Sequence, residues 1–274
     1  YQMNAHGRVV CLDPNGGKEI WSVNILERFG AKNITWAVSE CLVIDRDRLI
    51  VTPGGPKTFM AALDKRSGES VWTTDPIRFT RTFKPGNKPV DSPHKDTDKA
   101  GYAPPILFQC GSRRLVAGCA GLHHFLVDAD AGELIWTQYI RAGWEVIANM
   151  PIVYRDSIIF FSAGTGCERF RLSPRPGRLE PEKLWETRVY NTHGSLVAVG
   201  NRLYGSGHRP GGWGTTDLDS ATTLYSIRGL SRGVPLYADG HVYALGEKGT
   251  MTLLRPGSDS FEIVGKFEVP KGSL

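Results

Sequence analysis

No stretch of the chain comes near the ~18 consecutive apolar residues that a membrane-spanning helix needs, so no helical membrane span is expected. Cysteine is scarce and odd in number. Cys11, Cys41, Cys110, Cys119 and Cys167 cannot all pair internally, which excludes a disulfide scaffold. No two of them are adjacent, and no Cys-x-x-Cys-His haem-attachment sequence occurs. Buried free thiols are the plain expectation for all five, although Cys110 and Cys119 flank a turn at Gly111-Ser112-Arg113-Arg114 and are candidates for cross-strand neighbours. Charge of one sign is short as well: the formal net charge is +5, and Lys and Arg alternate with Asp and Glu rather than gathering in runs. The densest polar stretch, Arg81 to Lys99, mixes both signs with proline and reads as a solvated loop, so no nucleic-acid surface is expected. A helical apolar period sustained over three turns is missing too. The chain opens on Tyr1 with no charged segment and apolar core behind it, as expected where a targeting segment has been removed or the chain is a piece of a longer one.

Turn-formers are plentiful. The 274 residues include 32 Gly and 17 Pro alongside 41% hydrophobic side chains, a composition that suits many short strands joined by tight turns around a sizeable core. One segment repeats visibly. Leu12-Asp13-Pro14-Asn15-Gly16-Gly17-Lys18-Glu19-Ile20-Trp21 returns as Leu63-Asp64-Lys65-Arg66-Ser67-Gly68-Glu69-Ser70-Val71-Trp72 and as Val127-Asp128-Ala129-Asp130-Ala131-Gly132-Glu133-Leu134-Ile135-Trp136, always with Gly four and Trp eight residues after Asp. The Asp carboxylate can accept from the amides just ahead of it, and Gly supplies the positive φ of the turn. The alternating segment that follows has one buried face, and the Trp ring then packs on a neighbouring unit. Before each copy stands an apolar strand pair around a polar turn, as in Cys41 to Val51, and this element recurs at 105–117, 151–161, 196–204 and 234–245. Each unit thus holds four short strands, and such units stack radially as propeller blades. We expect an all-β propeller in a single domain over 1–274, with blades at about 35–75, 102–140, 146–190, 192–228 and 230–270, a partial blade at 1–24 and an insertion loop at 76–101. In the third of these a Pro-rich loop, Arg171 to Lys183, replaces the tight turn, and the last two lack a Trp at the expected place.

The Leu-Asp-x-x-x-Gly-x-x-x-Trp pattern resembles the repeat of the pyrroloquinoline-quinone (PQQ)-like β-propellers, a group that includes quinoprotein alcohol dehydrogenases, BamB-like outer-membrane assembly lipoproteins and extracytoplasmic PQQ-binding-like repeat proteins. Such propellers carry seven or eight blades, whereas five to six are visible here; the resemblance therefore implies an abbreviated propeller or a fragment that another chain completes. It also implies an extracytoplasmic, periplasmic location. Quinoprotein dehydrogenases resemble one another in an adjacent Cys-Cys pair and in Glu, Asn and Asp ligands to calcium, and neither feature can be placed here. The expected function is accordingly a non-catalytic scaffold that binds a protein partner, without cofactor or metal; the alternative is a quinone-dependent oxidoreductase using PQQ with calcium. A glycan-binding or hydrolysing propeller would need paired carboxylates at a set separation.

Trp36, Tyr102, Trp144 and His193 each precede the first strand of a unit, a position that approaches the channel of a propeller, and are the candidates for stacking on a small ligand. His193, His208 and Trp213 flank or lie in a Gly-rich stretch, Gly205 to Gly214, expected as a connecting loop. His123 and His124 are consecutive on a strand, point to opposite faces and cannot share a metal. Gly164-Thr165-Gly166 lacks the Lys and helix of a phosphate loop. Trp21, Trp72, Trp136 and Trp185 are read as core residues.

Overall fold

The structure, a computed structural model, describes residues 1–84, 88–140, 144–162, 164–175, 178–191, 194–208 and 212–270. It divides into two compact units, Tyr1–Pro151 with Leu172–Glu182, and Ile152–Arg171 with Lys183–Leu274. Among the described residues the architecture is all-β: five four-stranded antiparallel sheets, one three-stranded sheet and one hairpin, each in sequential strand order. No described helix is long and apolar enough to cross a membrane.

In the first unit, β1 (Gln2–Met3), β2 (Arg8–Leu12) and β3 (Glu19–Asn24) form the three-stranded sheet, followed by the short helix α1 (Ile25–Phe29). Next come a sheet of β4 (Val43–Asp45), β5 (Arg48–Val51), β6 (Ala61–Asp64) and β7 (Ser70–Thr73), and the hairpin β8 (Arg78–Lys84) with β9 (Lys88–Thr97). Another sheet follows, of β10 (Ile106–Cys110), β11 (Arg113–Cys119), β12 (His123–Asp128) and β13 (Leu134–Tyr139). The sheet β14 (Ile152–Tyr154), β15 (Ser157–Ser162), β16 (Gly166–Arg175) and β17 (Arg178–Thr187) has the tip of its last two strands in the first unit. The second unit continues with β18 (Val197–Val199), β19 (Arg202–His208), β20 (Gly212–Asp217) and β21 (Thr223–Ile227). It ends with β22 (Gly233–Ala238), β23 (His241–Gly246), β24 (Thr250–Pro256) and β25 (Phe261–Glu268).

The turn chemistry explains the repeat. Asp64 Oδ1 accepts from the N–H groups of Arg66 and Ser67 at 2.8 and 3.0 Å, and Asp128 Oδ1 from those of Asp130 and Ala131 at 2.9 Å. Gly68 and Gly132 close these turns at φ of +74° and +75°. A second constraint acts at the same glycines. A Cβ on Gly68 would stand 2.7 Å from the Trp21 ring, and one on Gly132 2.6 Å from the Trp72 ring. Each tryptophan therefore lies over the glycine of the following repeat. Its indole N–H also donates to the carbonyl of the residue after that repeat's Asp: Trp21 to Lys65 at 3.0 Å and Trp72 to Ala129 at 3.1 Å.

Each of these carbonyls takes a second donor, so both lone pairs are used. Tyr1 Oη reaches Lys65 O at 2.7 Å, and Arg48 Nη1 reaches Ala129 O at 2.8 Å. In the second unit Trp185 Nε1 and Arg169 Nη1 converge on Leu218 O at 2.9 and 2.8 Å. Tyr225 Oη and Arg202 Nη1 do the same at Gly257 O, at 3.2 and 3.0 Å. Between these staples lie apolar clusters shared by consecutive sheets, such as Ile50, Ala62 and Trp72 with Val116, Phe125 and Val127.

Three sequence expectations are corrected, and one absence is explained. Residues 78–84 and 88–97 pair as antiparallel strands and are not a loop: half-buried Phe79, Arg81 and Phe83 alternate with exposed Arg78, Thr80, Thr82 and Lys84. The stretch after Arg171 continues β16 to residue 175 and β17 from 178, with Leu172 and Leu179 buried. The position expected for Trp in the sheet β18–β21 is filled by Tyr225, eight residues after Asp217, and Ala221 takes the glycine's place at φ +61°. Cys110 and Cys119 sit at opposite ends of the β10–β11 pair, Cys110 facing Arg113, and none of the five cysteines is in a disulfide. Three of them are buried, while Cys41 is exposed and Cys110 half-buried.

Candidate functional site: an aromatic cleft and an uncovered sheet face

The turn at 33–38 presents the first candidate residue. Asn33 Oδ1 accepts from the N–H groups of Ile34 and Val38, and Ala37 takes φ +68°, which turns Trp36 outward until 65% of it is exposed. Tyr102 is held by its own N–H on Ile147 O at 3.1 Å. The two meet: Trp36 N donates to Tyr102 Oη at 3.3 Å, with ring centroids 5.9 Å apart and tilted by 55°. Beside them opens a cleft of about 190 Å³ lined by Asn33, Thr35, Lys99, Tyr102, Gly121 and Glu145, among others. Trp144 precedes Glu145 in sequence and is 64% exposed. His193 lies outside the described residues.

The polar groups of this cleft are engaged. Glu145 Oε1 accepts from Arg81 Nη1 at 2.7 Å, and Arg81 Nε donates to Asp96 Oδ2 at 2.5 Å. Partial burial works to raise the Asp96 carboxyl, but the Arg81 hydrogen bond, the Thr97 N–H and the Arg81 charge outweigh it and hold the group below its ordinary value. Asp98, buried behind Gly121, accepts from Lys99 N, Leu122 N and His123 Nδ1, the last at 2.7 Å. The His123 ring packs edge-on against Phe79 and Tyr139, with centroids 5.1 and 5.3 Å away. These groups form a structural lock that ties the β8–β9 hairpin to β12 and to residue 145.

The remaining expected residues have structural roles. His208 and Trp213 belong to β19 and β20 and not to a loop; 209–211 lie outside the described residues. His208 is buried between Gly205 O and Thr216 Oγ1, both at 3.0 Å, and burial lowers its pKa to about 4 although the Gly205 contact opposes this, so the ring is neutral. His123 and His124 are both buried on β12. Among the described residues no three His, Cys, Asp or Glu side chains gather as a metal would require.

Sequence reading missed a second feature. The sheet β22–β25 has two apolar faces. Val242, Leu254 and Phe261 pack against Tyr204, Trp213 and Tyr225 of the preceding sheet. On the other face, register aligns Leu236 with Tyr243 and Leu253, and Val234 with Leu245, Met251 and Phe267. This second face is uncovered: Val234, Leu236 and Phe267 are 48, 64 and 61% exposed. The alternation of 234, 236, 243 and 245 could have disclosed it, but nothing local tells a strand whether another sheet will cover it.

The profile of the family described as outer membrane protein assembly factor BamB matches residues 3–222. The chain belongs to this BamB family. Its fold is that of BamB from Moraxella catarrhalis, with a TM-score of 0.62 at 17% identity, over 97% of this chain and 71% of that one. The quinohemoprotein alcohol dehydrogenase from Comamonas testosteroni is similar with a TM-score of 0.51 at 15% identity, over 85% of this chain but only 43% of the dehydrogenase. No curated protein matches the sequence. At these identities the structural likeness concerns fold alone: a BamB-type β-propeller fold built of four-stranded antiparallel sheets.

The dehydrogenase likeness raises the question of a quinone. The described residues of the cleft do not fit one. Trp36 and Tyr102 are tilted where a planar ring system needs a parallel slot, and Glu145 is already neutralised by Arg81. The cleft is also smaller than the ~300 Å³ at which ligand pockets begin.

Proposed function

We propose that this member of the BamB family is a non-catalytic, extracytoplasmic binding scaffold whose partner is a polypeptide that lays an apolar sheet on the uncovered face of β22–β25. The exposure of Val234, Leu236 and Phe267 carries the reading. The equivalent face of the preceding sheet β18–β21 is buried by β22–β25, as Tyr204 and Tyr225 are by Val242 and Phe261. A partner sheet would extend the same packing, and an apolar surface of this kind marks an interaction site. The family description and the resemblance to extracytoplasmic repeat proteins support the location.

A photo-crosslinking residue placed at Leu236 or Phe267 tests this in cells. One polypeptide is expected to crosslink from both positions, and not from Ile20, which is 60% exposed in the first sheet. Equal crosslinking from all three positions, or none from 236 and 267, would overturn the reading. The quinone alternative has its own test. A ligand at ~100-fold its Kd stabilises a fold by about 2.7 kcal/mol, so PQQ with calcium is expected to leave Tm unchanged, and a clear rise would restore the oxidoreductase reading.

A further inference from the structure

The inner face of the last sheet changes character along its length. Near β24's end it is filled by Val242, Leu254 and Phe261. Toward the β23–β24 turn, register brings Ala244, Thr252 and Lys266 side by side, with Gly246 two residues beyond Ala244 and the pair Thr250 and Glu268 two residues beyond the others. Small side chains replace large ones there, and the sheets do not fill the space. A cleft of about 510 Å³ results, floored by Trp213, whose indole N–H is fixed on Ser231 O at 2.7 Å. That volume is in the range of small-molecule sites.

Its charge is unbalanced. Lys248 and Lys266 both line the cleft, and among the described residues neither has an ion-pair partner. Glu268 accepts from Thr250 Oγ1 at 2.9 Å and so is tied back to its own sheet. Thr252 packs between the strands with 2% of its surface exposed, and among the described residues its hydroxyl donates to no other group. Thr252 lines the cleft, so its hydroxyl is within reach of whatever enters. Two unpaired ammonium groups and a hydroxyl around one concavity are the donors that an oxyanion needs.

We infer that this cleft is a binding site for a small organic anion whose carboxylate or phosphate groups bridge Lys248 and Lys266 and accept from Thr252. It is separate from the uncovered face, since Thr252 and Lys266 point to the opposite side of the sheet from Leu253 and Phe267. The site stands or falls independently of the scaffold reading.

Calorimetric titration of the whole chain with citrate, with glycerol 3-phosphate and with neutral glycerol tests it, alongside a Lys248→Gln/Lys266→Gln variant and a Lys18→Gln control. At least one anion is expected to bind while glycerol does not, and which one binds separates a carboxylate from a phosphate ligand. The double variant should bind about tenfold more weakly per lysine removed, the equivalent of about 1.4 kcal/mol each, and Lys18→Gln should bind as the parent does. Binding should also weaken as salt rises. Absence of binding by both anions, or equal binding by the parent and the double variant, overturns the site. Both lysines are exposed, so circular dichroism is expected to show the variant folded.

Discussion

At the residue scale, the repeat glycines serve two physical demands at once. Gly68 needs positive φ for its turn and an empty Cβ position for the Trp21 ring. Gly240 needs only the first: its φ is +73°, and a Cβ there would meet nothing within 4 Å. Gly240→Ala should therefore cost about 1 kcal/mol, the left-handed backbone penalty alone. Gly68→Ala should cost about 2–4 kcal/mol, because overpacking against the indole is added. Urea denaturation of both variants measures the difference, and equal costs would refute the double role. Ala221 is the converse case. It occupies the glycine position of its repeat at φ +61°, so Ala221→Gly should stabilise the chain by about 1 kcal/mol. This departure is present in the sequence as Asp217, Ala221 and Tyr225, but a search for Gly and Trp passes over it, because Ala and Tyr meet the same geometric needs at some cost.

At the element scale, consecutive sheets within each unit are joined by apolar clusters and by carbonyls that each take two donors. Ala129 O accepts from Trp72 and from Arg48, residues that come from different strands of the preceding sheet. Trp72→Phe and Arg48→Met should each cost about 1 kcal/mol in lost hydrogen bonding, since the carbonyl keeps one partner. Removing both leaves it buried with none, so the double variant should lose more than the sum of the singles, a coupling of at least ~0.5 kcal/mol in a double-mutant cycle. Strict additivity would mean that the carbonyl finds water. The hairpin β8–β9 shows what composition hides at this scale. Arg81 to Lys99 looks solvated because most of its side chains are, yet Phe79 and Arg81 turn inward to His123 and Glu145. The signal lies in the two-residue alternation and not in the average polarity.

At the scale of the whole molecule, two buried groups set opposing responses to pH. Burial raises the Glu40 carboxyl to about 7, although its hydrogen bonds to Thr52 oppose this. The native state therefore holds a proton that the unfolded chain has released, and this stabilisation, complete below about 4.5, is lost as pH rises through 7. His208 acts in the other sense. Its native pKa of about 4 lies below the ordinary 6.5, so its contribution is complete above 6.5 and lost as pH falls through 4. Between pH 4.5 and 6.5 the two slopes oppose each other. Glu40→Gln keeps an acceptor for the Thr52 N–H and removes one slope. The variant should gain stability as pH rises through that window, where the parent stays nearly level, and should exceed the parent above pH 7. Denaturation midpoints measured across the range decide this, and parallel curves would refute it.

Repeat spacing alone determined the strand–turn–strand units and the all-β class, because an Asx turn, a positive-φ glycine and a two-residue alternation are satisfied by residues close in the chain. It also marked Trp36 and Tyr102 as neighbours of the strands, without showing that they touch. Only the tertiary structure decided which carbonyl each indole meets, that Glu145 is spent on Arg81, and which sheet face stays bare. Those outcomes join residues far apart in sequence, 57 from Trp72 to Ala129 and 64 from Arg81 to Glu145. The energy of such pairs depends on how sheets stack, and a strand's own pattern carries an apolar face without saying what will cover it.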